Sequence, residues 1–286
     1  MNNVITRAIS GTAYILIVVC CIIFGPWSFL GLTMLFAIFG AIELTKIDRK
    51  KSDNKPRPAA DCLDICGILF MIVSASLASN PQIGLESIPA FLIPYTFYLI
   101  SRAIIEIYSN DDNPIAALGS SALVQIYIGV PLATLNLLYN MVGANLVLAM
   151  FMFIWINDTG AFCVGSLIGR RRLFERISPK KSWEGFWGGL VFCIAFSILF
   201  ALVFDKFFYN LPVNIFIAFA IVVSVFATFG DLFESLLKRS AGVKDSGKIM
   251  PGHGGILDRI DSLLMVGPIC FCFLLIAKSF FELIWI

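Results

Sequence analysis

Residues 229–261 read FGDLFESLLKRSAGVKDSGKIMPGHGGILDRID, and this stretch decides the fold because it concentrates charge between two apolar segments. It holds five carboxylates, five Lys or Arg residues and the only histidine of the chain. A polar insert between membrane-length apolar runs must lie at a membrane surface or in a water-filled cavity reached from one. We therefore expect the chemistry of the protein to lie here.

The composition around this stretch is that of an integral membrane protein. Of 286 residues, 59% are hydrophobic and 14% charged, and the mean hydropathy is +0.89. Soluble domains carry about 25% charged residues. The apolar runs have the length of helices that cross a hydrocarbon core, and they lack the alternation of a barrel. The sequence predicts an all-α, polytopic transmembrane helical bundle that forms one domain over residues 1–286.

Nine membrane spans follow from the apolar runs. They cover residues 5–24, 27–44, 62–79, 88–107, 117–138, 146–168, 186–204, 213–229 and 263–285. An amino terminus in the cytoplasm then places 19 of the 21 Lys and Arg residues on the cytoplasmic side, together with the region 229–261. This distribution agrees with the positive-inside rule. The basic stretch 45–61 is predicted as a solvated loop.

Two polar residues interrupt the sixth apolar run. Asn157 and Asp158 stand in its middle, where a carboxylate is costly unless it faces the protein interior or water. One interpretation is a structural hydrogen bond between helices, and the other, which we favour, is a role in a site. Gly160, Gly165 and Gly169 follow at a spacing that lets another backbone approach closely.

The connection 170–185 reads RRRLFERISPKKSWEG and holds six basic residues. Positive-inside bias accounts for such a loop. A phosphate site is the second interpretation, because Ser178 and Pro179 are predicted to start a helix as its N-cap and first residue. The free amides of that helix would then lie beside Lys180 and Lys181, an arrangement that suits a phosphate.

The stretch 229–261 itself divides into a helix end and a loop. If the helix continues past Gly230, then Asp231, Glu234, Ser235 and Lys238 share one face, which predicts either a polar site or the wet side of an interfacial helix. The following run 247–255 contains four glycines, a proline and His253, so it cannot be a regular helix or strand. Its amides could form an anion nest, and His253 could donate to a phosphate oxygen.

The carboxylates at the two ends of this stretch indicate a metal. Asp231, Asp258 and Asp261 repel one another unless a cation lies between them, and oxygen ligands without sulfur or imidazole suit Mg²⁺. Five basic residues could cover the remaining phosphate charge: Lys238, Arg239, Lys244, Lys248 and Arg259. Acid pairs with basic clusters at a membrane face indicate phosphoryl or nucleotidyl transfer to a lipid.

Three blocks of this sequence resemble the phosphatidate cytidylyltransferases, also called CDP-diacylglycerol synthases. They are SLLKRSAGVKDSGKIMPGHGGILDRID from Ser235, NDTGAFCVGSLIGR from Asn157 and SPKKSWEGFWGG from Ser178. The chain departs from the family pattern at Phe162, Ser182 and Met250, where Tyr, Thr and another apolar residue are common. None of these departures removes a charged group.

The resemblance implies the reaction of CTP with phosphatidate to give CDP-diacylglycerol and pyrophosphate. Asp231 and Asp258 would hold Mg²⁺, Asp261 is a further candidate ligand, and a second cation is left open. Phosphate contacts would come from Lys238, Arg239, Lys244 and His253, and the remaining substrate-binding candidates are Ser178, Lys180, Lys181, Ser235, Asp245, Arg259, Asn157 and Asp158. The resemblance also implies a homodimer. With a bacterial source, we expect the protein in the inner (plasma) membrane, with the site facing the cytoplasm as the basic residues indicate, and membrane lipids, not nucleic acid, as partners.

Other functions fit parts of the pattern. A CTP-dependent lipid kinase, or a cytidylyltransferase acting on another lipid, would have much the same site chemistry. An ion-coupled transporter would use buried acids to bind ions, although here the polar residues cluster on one membrane face and not at the midplane. A non-catalytic scaffold would tolerate changes of Asp231 and Asp258.

Overall fold

A computed structural model describes residues 3–52, 57–79, 88–109, 113–209 and 211–281. The chain forms two compact units, one built from residues 1–140 and 240–260 and the other from residues 141–239 and 261–286. We call them unit one and unit two and describe each by itself. The prediction of one membrane domain over the whole chain stays a prediction.

The described residues are almost entirely helical. The elements are α1 (Asn3–Ile23), α2 (Pro26–Ser52), α3 (Pro58–Ala78), α4 (Ile88–Tyr108), α5 (Pro114–Val124), a π-helical turn (Gln125–Gly129), α6 (Val130–Ile168), β1 (Arg172–Phe174), β2 (Ser178–Ser182), α7 (Trp183–Val203), α8 (Val213–Ser240) and α9 (Leu257–Phe281). Within the described ranges, seven helical stretches are long and apolar enough to cross a membrane. The protein is therefore a polytopic α-helical membrane protein, as the composition predicts.

The seven stretches and the nine predicted spans divide the chain differently. Residues 114–168 form one helical stretch of 55 residues, with a kink inside it, and this stretch contains two predicted spans. Gly143 interrupts this stretch with a φ of 77°, a left-handed conformation that glycine adopts without steric cost. The π-helical turn lies just before Pro131, which lacks the amide that a regular turn would use. The sequence predicted a kink at Pro131; the structure has the π-helical turn directly before it, and the kink itself stays a prediction.

The predicted solvated loop 45–61 is wrong over most of its length. Helix α2 continues to Ser52, and α3 begins at Pro58 with Asp61 in its first turn. Lys and Arg are good helix formers and proline is tolerated in a first turn, so the basic composition extends the helices instead of ending them. Residues 53–56 of the predicted loop lie outside the described residues, as do residues 282–285 of the last predicted span.

Unit one contains a buried cluster of charged residues. Arg102 on α4 is 4% exposed, and it donates to Glu106 Oε2 and to Ser121 Oγ, both at 2.8 Å. Its Nε also lies 3.6 Å from Oδ1 of Asp64 on α3. Asp64 in turn accepts hydrogen bonds from Tyr98 (3.0 Å) and Ser121 (2.7 Å). This buried network, which we call the Arg102 cluster, links α3, α4 and α5.

Unit two has an aromatic core. Phe153 of α6 packs edge-on against Phe216 and Phe219 of α8, with ring centroids 5.4 and 6.1 Å apart. Phe219 also stacks on Phe273 of α9, at 6.1 Å. Such edge-to-face and stacked pairs add to the energy of burial. They fix α6, α8 and α9 around the polar groups described below.

The connection 170–185 forms a β-hairpin, so the helix start predicted at Ser178 is wrong. Strand β2 pairs antiparallel with β1, and Arg172 lies opposite Ser182. The helix begins four residues later than predicted, at Trp183, where Ser182 Oγ accepts from the Gly185 amide at 3.1 Å. The predicted cap residue type and its interaction are therefore present at Ser182, while the backbone near Ser178 belongs to the hairpin.

Candidate active site

In unit two, α8 and α9 cross in direct backbone contact at Gly230. A Cβ atom built on Gly230 would lie 2.6 Å from the carbonyl oxygen of Asp261 and 2.8 Å from Cα of Ser262. The Ser262 hydroxyl donates to the carbonyl of Ala227 at 3.0 Å, which fixes the crossing. Only glycine permits this approach. The crossing brings the residue after Gly230, Asp231, close to Asp261.

Three carboxylates meet at this crossing. One oxygen each from Asp231, Glu234 and Asp261 lies within 4.8 Å of the others. Asp231 and Glu234 share a face because α8 continues as a helix to Ser240, which confirms the prediction made from the sequence. Glu234 was not among the predicted site residues, although its place on that face already signalled it.

The carboxylate group has the chemistry of a Mg²⁺ site. Mg²⁺ holds oxygen ligands at 2.0–2.1 Å, so two ligands on opposite sides of the ion lie about 4.2 Å apart. The three oxygens, which lie within 4.8 Å of one another, are close to the separations that one such ion requires. The donor set, which consists of carboxylate oxygens alone, fits a hard cation of this kind.

Lysines lie next to these carboxylates. Lys181 of β2 places its Nζ 2.7 Å from Asp231 Oδ2. Lys238, only 8% exposed, pairs with Glu234, which is fully buried. Ser235 Oγ donates to Asp231 Oδ1 at 3.3 Å. Four of the predicted site residues are thus held together with Glu234 by ion pairs and hydrogen bonds within unit two.

A cavity of about 370 Å³ opens beside Asp231. This volume is within the range of pockets that hold small-molecule ligands. Its walls combine polar side chains with an apolar side, and its lining includes Asn157, Asp158, Thr228, Lys180, Lys181, Asp231, Phe162, Leu173 and Phe186. The cavity can therefore accommodate an anionic group next to an apolar one.

Glycines bring the cavity walls α6 and α7 together. A Cβ on Gly160 would lie 3.2 Å from Cα of Gly189, and one on Gly165 would lie 3.4 Å from Cα of Gly185. This confirms the close approach predicted for Gly160 and Gly165. Asn157 is 2% exposed and its Oδ1 accepts from Ser224 at 2.7 Å, as a structural bond between helices requires. Both interpretations of the Asn157–Asp158 pair therefore have support, because both residues also line the cavity.

The glycine-rich loop of unit one binds carboxylates of the chain itself. Glu43 of α2 is 1% exposed, and it accepts hydrogen bonds from the Ile256 and Leu257 amides at 3.1 and 2.9 Å. Asp258 Oδ2 accepts from the amides of Ser246 (3.0 Å) and Gly255 (2.8 Å). The predicted anion nest exists in this sense, but the anions seen in it are two side chains. Glu43 was missed from the sequence.

His253 lies against α1. Its Nδ1 is 2.7 Å from the Ser10 hydroxyl, and a Cβ on Gly11 would lie 3.3 Å from the ring. The Arg7 side chain donates to the Gly252 carbonyl at 2.8 Å. Partial burial lowers the pKa of the His253 imidazole, and the charges of Arg259 and Arg7 lower it further. The lowered pKa favours the neutral imidazole, and in the tautomer that accepts from Ser10 it carries a proton on Nε2 to donate.

The remaining predicted site residues lie in two places. Arg239 donates to the Ile177 carbonyl at 3.4 Å, next to Ser178 in the hairpin of unit two. In unit one, Arg259 is exposed in α9, with Tyr14 donating to its carbonyl at 3.2 Å. Lys244 and Asp245 are exposed in the loop between α8 and α9. Their roles stay predictions.

The crossing at Gly230 leads to a first prediction. Gly230→Ala should force α8 and α9 apart, since backbone atoms cannot yield as a flexible side chain can. We expect a loss of activity of about 10- to 100-fold, because a displacement of about 1 Å can cost that much. Gly31→Ala is the matched control, since nothing lies within 4 Å of its Cβ position. Equal activity of both variants, measured on purified protein in detergent, would contradict the proposed role of the crossing.

His253 leads to a second prediction, on pH. Because its pKa is lowered in the folded protein, the unfolded chain binds the proton more readily, and stability must fall as the pH drops through the ordinary histidine value of about 6.5. We expect a lower melting temperature in detergent at pH 5.5 than at pH 7.5, and a smaller decrease in His253→Asn. The same decrease in both proteins would show that other groups cause it.

The fold and the site together define a polytopic membrane protein with a carboxylate group and lysines beside a ligand-sized cavity. Residues 5–277 match the model of the cytidylyltransferase family. The chain belongs to this family, which confirms the resemblance inferred from the sequence.

Individual relatives carry a more specific name. The phosphatidate cytidylyltransferase of Thermotoga maritima is 32% identical over 282 residues, which cover 95% of this chain and 96% of the relative. Those of Staphylococcus haemolyticus and Staphylococcus aureus are 43% and 45% identical over 127 residues. These two alignments cover 44% of this chain and 48% of each relative, so in them the chain spans about half the length of the relative it matches.

Proposed function

We propose that this protein is a phosphatidate cytidylyltransferase, which transfers the CMP part of CTP to phosphatidate and releases pyrophosphate. The observation that carries the proposal is the group of Asp231, Glu234 and Asp261, of which Asp231, together with its partner Lys181, lines a cavity of about 370 Å³. Membership in the family and the names of the relatives support the choice of substrates.

The reaction needs alignment and charge neutralisation more than acid–base catalysis. A lipid phosphate oxygen attacks the α-phosphorus of CTP, a new P–O bond forms, and the bond to the β-phosphate oxygen breaks to release pyrophosphate. The attacking phosphate is already ionised at neutral pH, so no general base is required. Lys180 and Lys181, which line the cavity, are placed to neutralise phosphate oxygens, and preorganised charge of this kind stabilises the transition state.

Asp231, Glu234 and Asp261 would hold Mg²⁺, and a ligand role of Asp258 is proposed from the family resemblance. When bound, the ion would neutralise the triphosphate and align it for in-line attack. Lys181 pairs with Asp231 in this structure. With Asp231 as a ligand, the Lys181 ammonium would be available to bind a phosphate oxygen. A second cation is part of the same proposal.

The membrane arrangement belongs to the proposal as well. Nine spans with a cytoplasmic amino terminus agree with the positive-inside rule, and this arrangement would put the active site on the cytoplasmic face, where CTP is available. We place the protein in the plasma (inner) membrane of a bacterium, in keeping with the bacterial relatives. The homodimer implied by the resemblance is proposed with it.

The deciding experiment follows the label from CTP. Purified protein in detergent receives phosphatidate, Mg²⁺ and CTP labelled at the α- or the γ-phosphate, and the label in the organic phase is counted. We expect lipid label from the α position alone. Label from the γ position would mean a lipid kinase, and transfer only to another lipid acceptor would mean a different cytidylyltransferase.

An inactive preparation also gives a result. If no lipid in a panel of phospholipids and polyprenols takes up either label, while a bacterial phosphatidate cytidylyltransferase is active in the same detergent, the enzyme proposal fails. Ion flux into vesicles then tests the transporter alternative.

A further inference from the structure

Glu43 is a buried carboxylate in the apolar helix α2, and all its described contacts go to one loop. Its two oxygens accept from the Ile256 and Leu257 amides and from the Ser246 hydroxyl, the last at 2.8 Å. The bound segments are more than 200 residues away in sequence. A carboxylate at this position also favours the start of α9, because a helix N-terminus attracts negative charge.

The two glycines that flank the loop make room for Glu43. A Cβ on Gly247 or Gly255 would overlap the Glu43 carboxylate, and one on Gly255 would also overlap the Ser246 hydroxyl. Packing against Glu43 therefore explains why both positions are glycine. The loop closes around the carboxylate, and its amides from Gly255 to Leu257 all donate to the carboxylates of Glu43 or Asp258.

Ser246 connects Glu43 to Asp258. Its hydroxyl lies 2.8 Å from Glu43 Oε2 and 3.0 Å from Asp258 Oδ2, and its amide donates to the same Asp258 oxygen. Asp258 stands in the first turn of α9, where Glu43 also holds the Leu257 amide. Glu43 thus holds the Ile256 and Leu257 backbone directly before Asp258 and the Ser246 side chain that lies against the Asp258 carboxylate.

We propose that Glu43 is a positioning residue for the reaction, which orients Asp258 through Ser246 and the loop amides. The proposal rests on the proposed function in one respect, that Asp258 serves the metal-dependent step. Glu43 itself touches neither substrate nor reacting atoms in this proposal. Residues that orient a metal ligand typically contribute about 10- to 100-fold in metal affinity or activity.

Glu43→Gln tests the proposal with the smallest change in shape. Glutamine has an amide nitrogen in place of one carboxylate oxygen. This nitrogen cannot accept a hydrogen bond, so the hydrogen bonds that the replaced oxygen accepted are lost. We expect kcat to fall by about 10- to 100-fold and the Mg²⁺ concentration for half-maximal rate to rise several-fold, with little change in KM for CTP. Ser246→Ala should shift both quantities in the same direction, and the double variant should be less than additive because both act on one path.

A second readout needs neither metal nor activity. Hydrogen–deuterium exchange of the metal-free protein should show faster exchange at the amides of Ser246, Gly255, Ile256 and Leu257 in Glu43→Gln. Ser246→Ala keeps the exchange measurement informative if Glu43→Gln does not fold. The proposal is overturned if the folded variants keep both the exchange rates and the Mg²⁺ requirement of the parent protein.

Asp64→Asn is the matched control. Asp64 is another buried carboxylate of unit one, and its described side-chain contacts go to Tyr98, Ser121 and Arg102, not to the loop. Asp64→Asn should lower thermal stability and leave the Mg²⁺ concentration for half-maximal rate unchanged. If that concentration rises as much as in Glu43→Gln, then a general loss of rigidity in the protein explains the effect of Glu43→Gln. If the parent protein forms no CDP-lipid, the proposed function fails, and the exchange measurement alone then decides whether Glu43 anchors the loop.

Discussion

Replacement of Asp231 by asparagine is expected to lower the rate of nucleotidyl transfer by about 10³-fold, equivalent to about 4 kcal/mol in activation free energy. Asp231 is the member of the carboxylate group that also lines the cavity. Asparagine has nearly the same shape but carries no charge, so it is a weaker ligand for Mg²⁺ and no longer an ionic partner for Lys181. The loss should fall on kcat more than on the folded fraction.

Two measurements check this expectation. Single-turnover transfer from α-labelled CTP gives the rate, and the melting temperature in detergent shows whether the variant is folded. Asp205→Asn is the control, because Asp205 is an exposed acid of unit two outside the candidate site. A folded Asp231→Asn protein with more than a tenth of the parent rate would remove Asp231 from the catalytic machinery.

The parts of the site that lie on one helix could be predicted from the sequence. The shared face of Asp231, Ser235 and Lys238 follows from helical periodicity, and α8 continues past Gly230 as that periodicity requires. The glycine spacing after Asn157 likewise predicted a close helix contact, and Gly160 and Gly165 make one. Patterns of this kind can be predicted because the helix itself fixes which residues share a face.

Contacts between distant segments could not be predicted in the same way. Glu43 and the loop that it binds are more than 200 residues apart, and nothing in the spacing of either predicts the other. One signal was present, since Glu43 is a lone carboxylate in an apolar run, the same criterion that drew attention to Asp158. The sequence predicted an anion nest for phosphate and did not indicate Glu43, because a sequence does not reveal which anion the free amides will bind.

The hairpin illustrates a different limit. Ser178 and Pro179 form a valid helix start by local rules, and so does Ser182, which is the residue that caps α7. The choice between them depends on pairing with residues 172–174 and on the Glu184 carboxylate, which accepts from the Arg170 and Arg171 amides at 3.1 and 3.2 Å. Tertiary contacts therefore decide between two locally acceptable starts.

The Arg102 cluster should have the largest effect on stability. Arg102→Met removes the guanidinium that lies 2.8 Å from Glu106 and 3.6 Å from Asp64, two carboxylates that are 7% and 8% exposed. Arg57 stays 3.8 Å from Glu106. Breaking a buried ion pair from one side costs about 3–5 kcal/mol, because charge then stays buried with less compensation. At about 2–4 °C per kcal/mol, the melting temperature should fall by roughly 10 °C.

Single and combined variants together distinguish the electrostatic contribution of Arg102 to stability from its packing contribution. Lys46→Met removes an exposed cation from the same unit and should change the melting temperature by little. Asp64→Asn and Glu106→Gln, added to Arg102→Met, remove the uncompensated charges and should restore a large part of the loss, since replacing a whole buried ion pair is often nearly neutral. If the triple variant is no more stable than Arg102→Met, the arginine contributes by filling space between α3, α4 and α5, and the electrostatic account of the cluster is wrong.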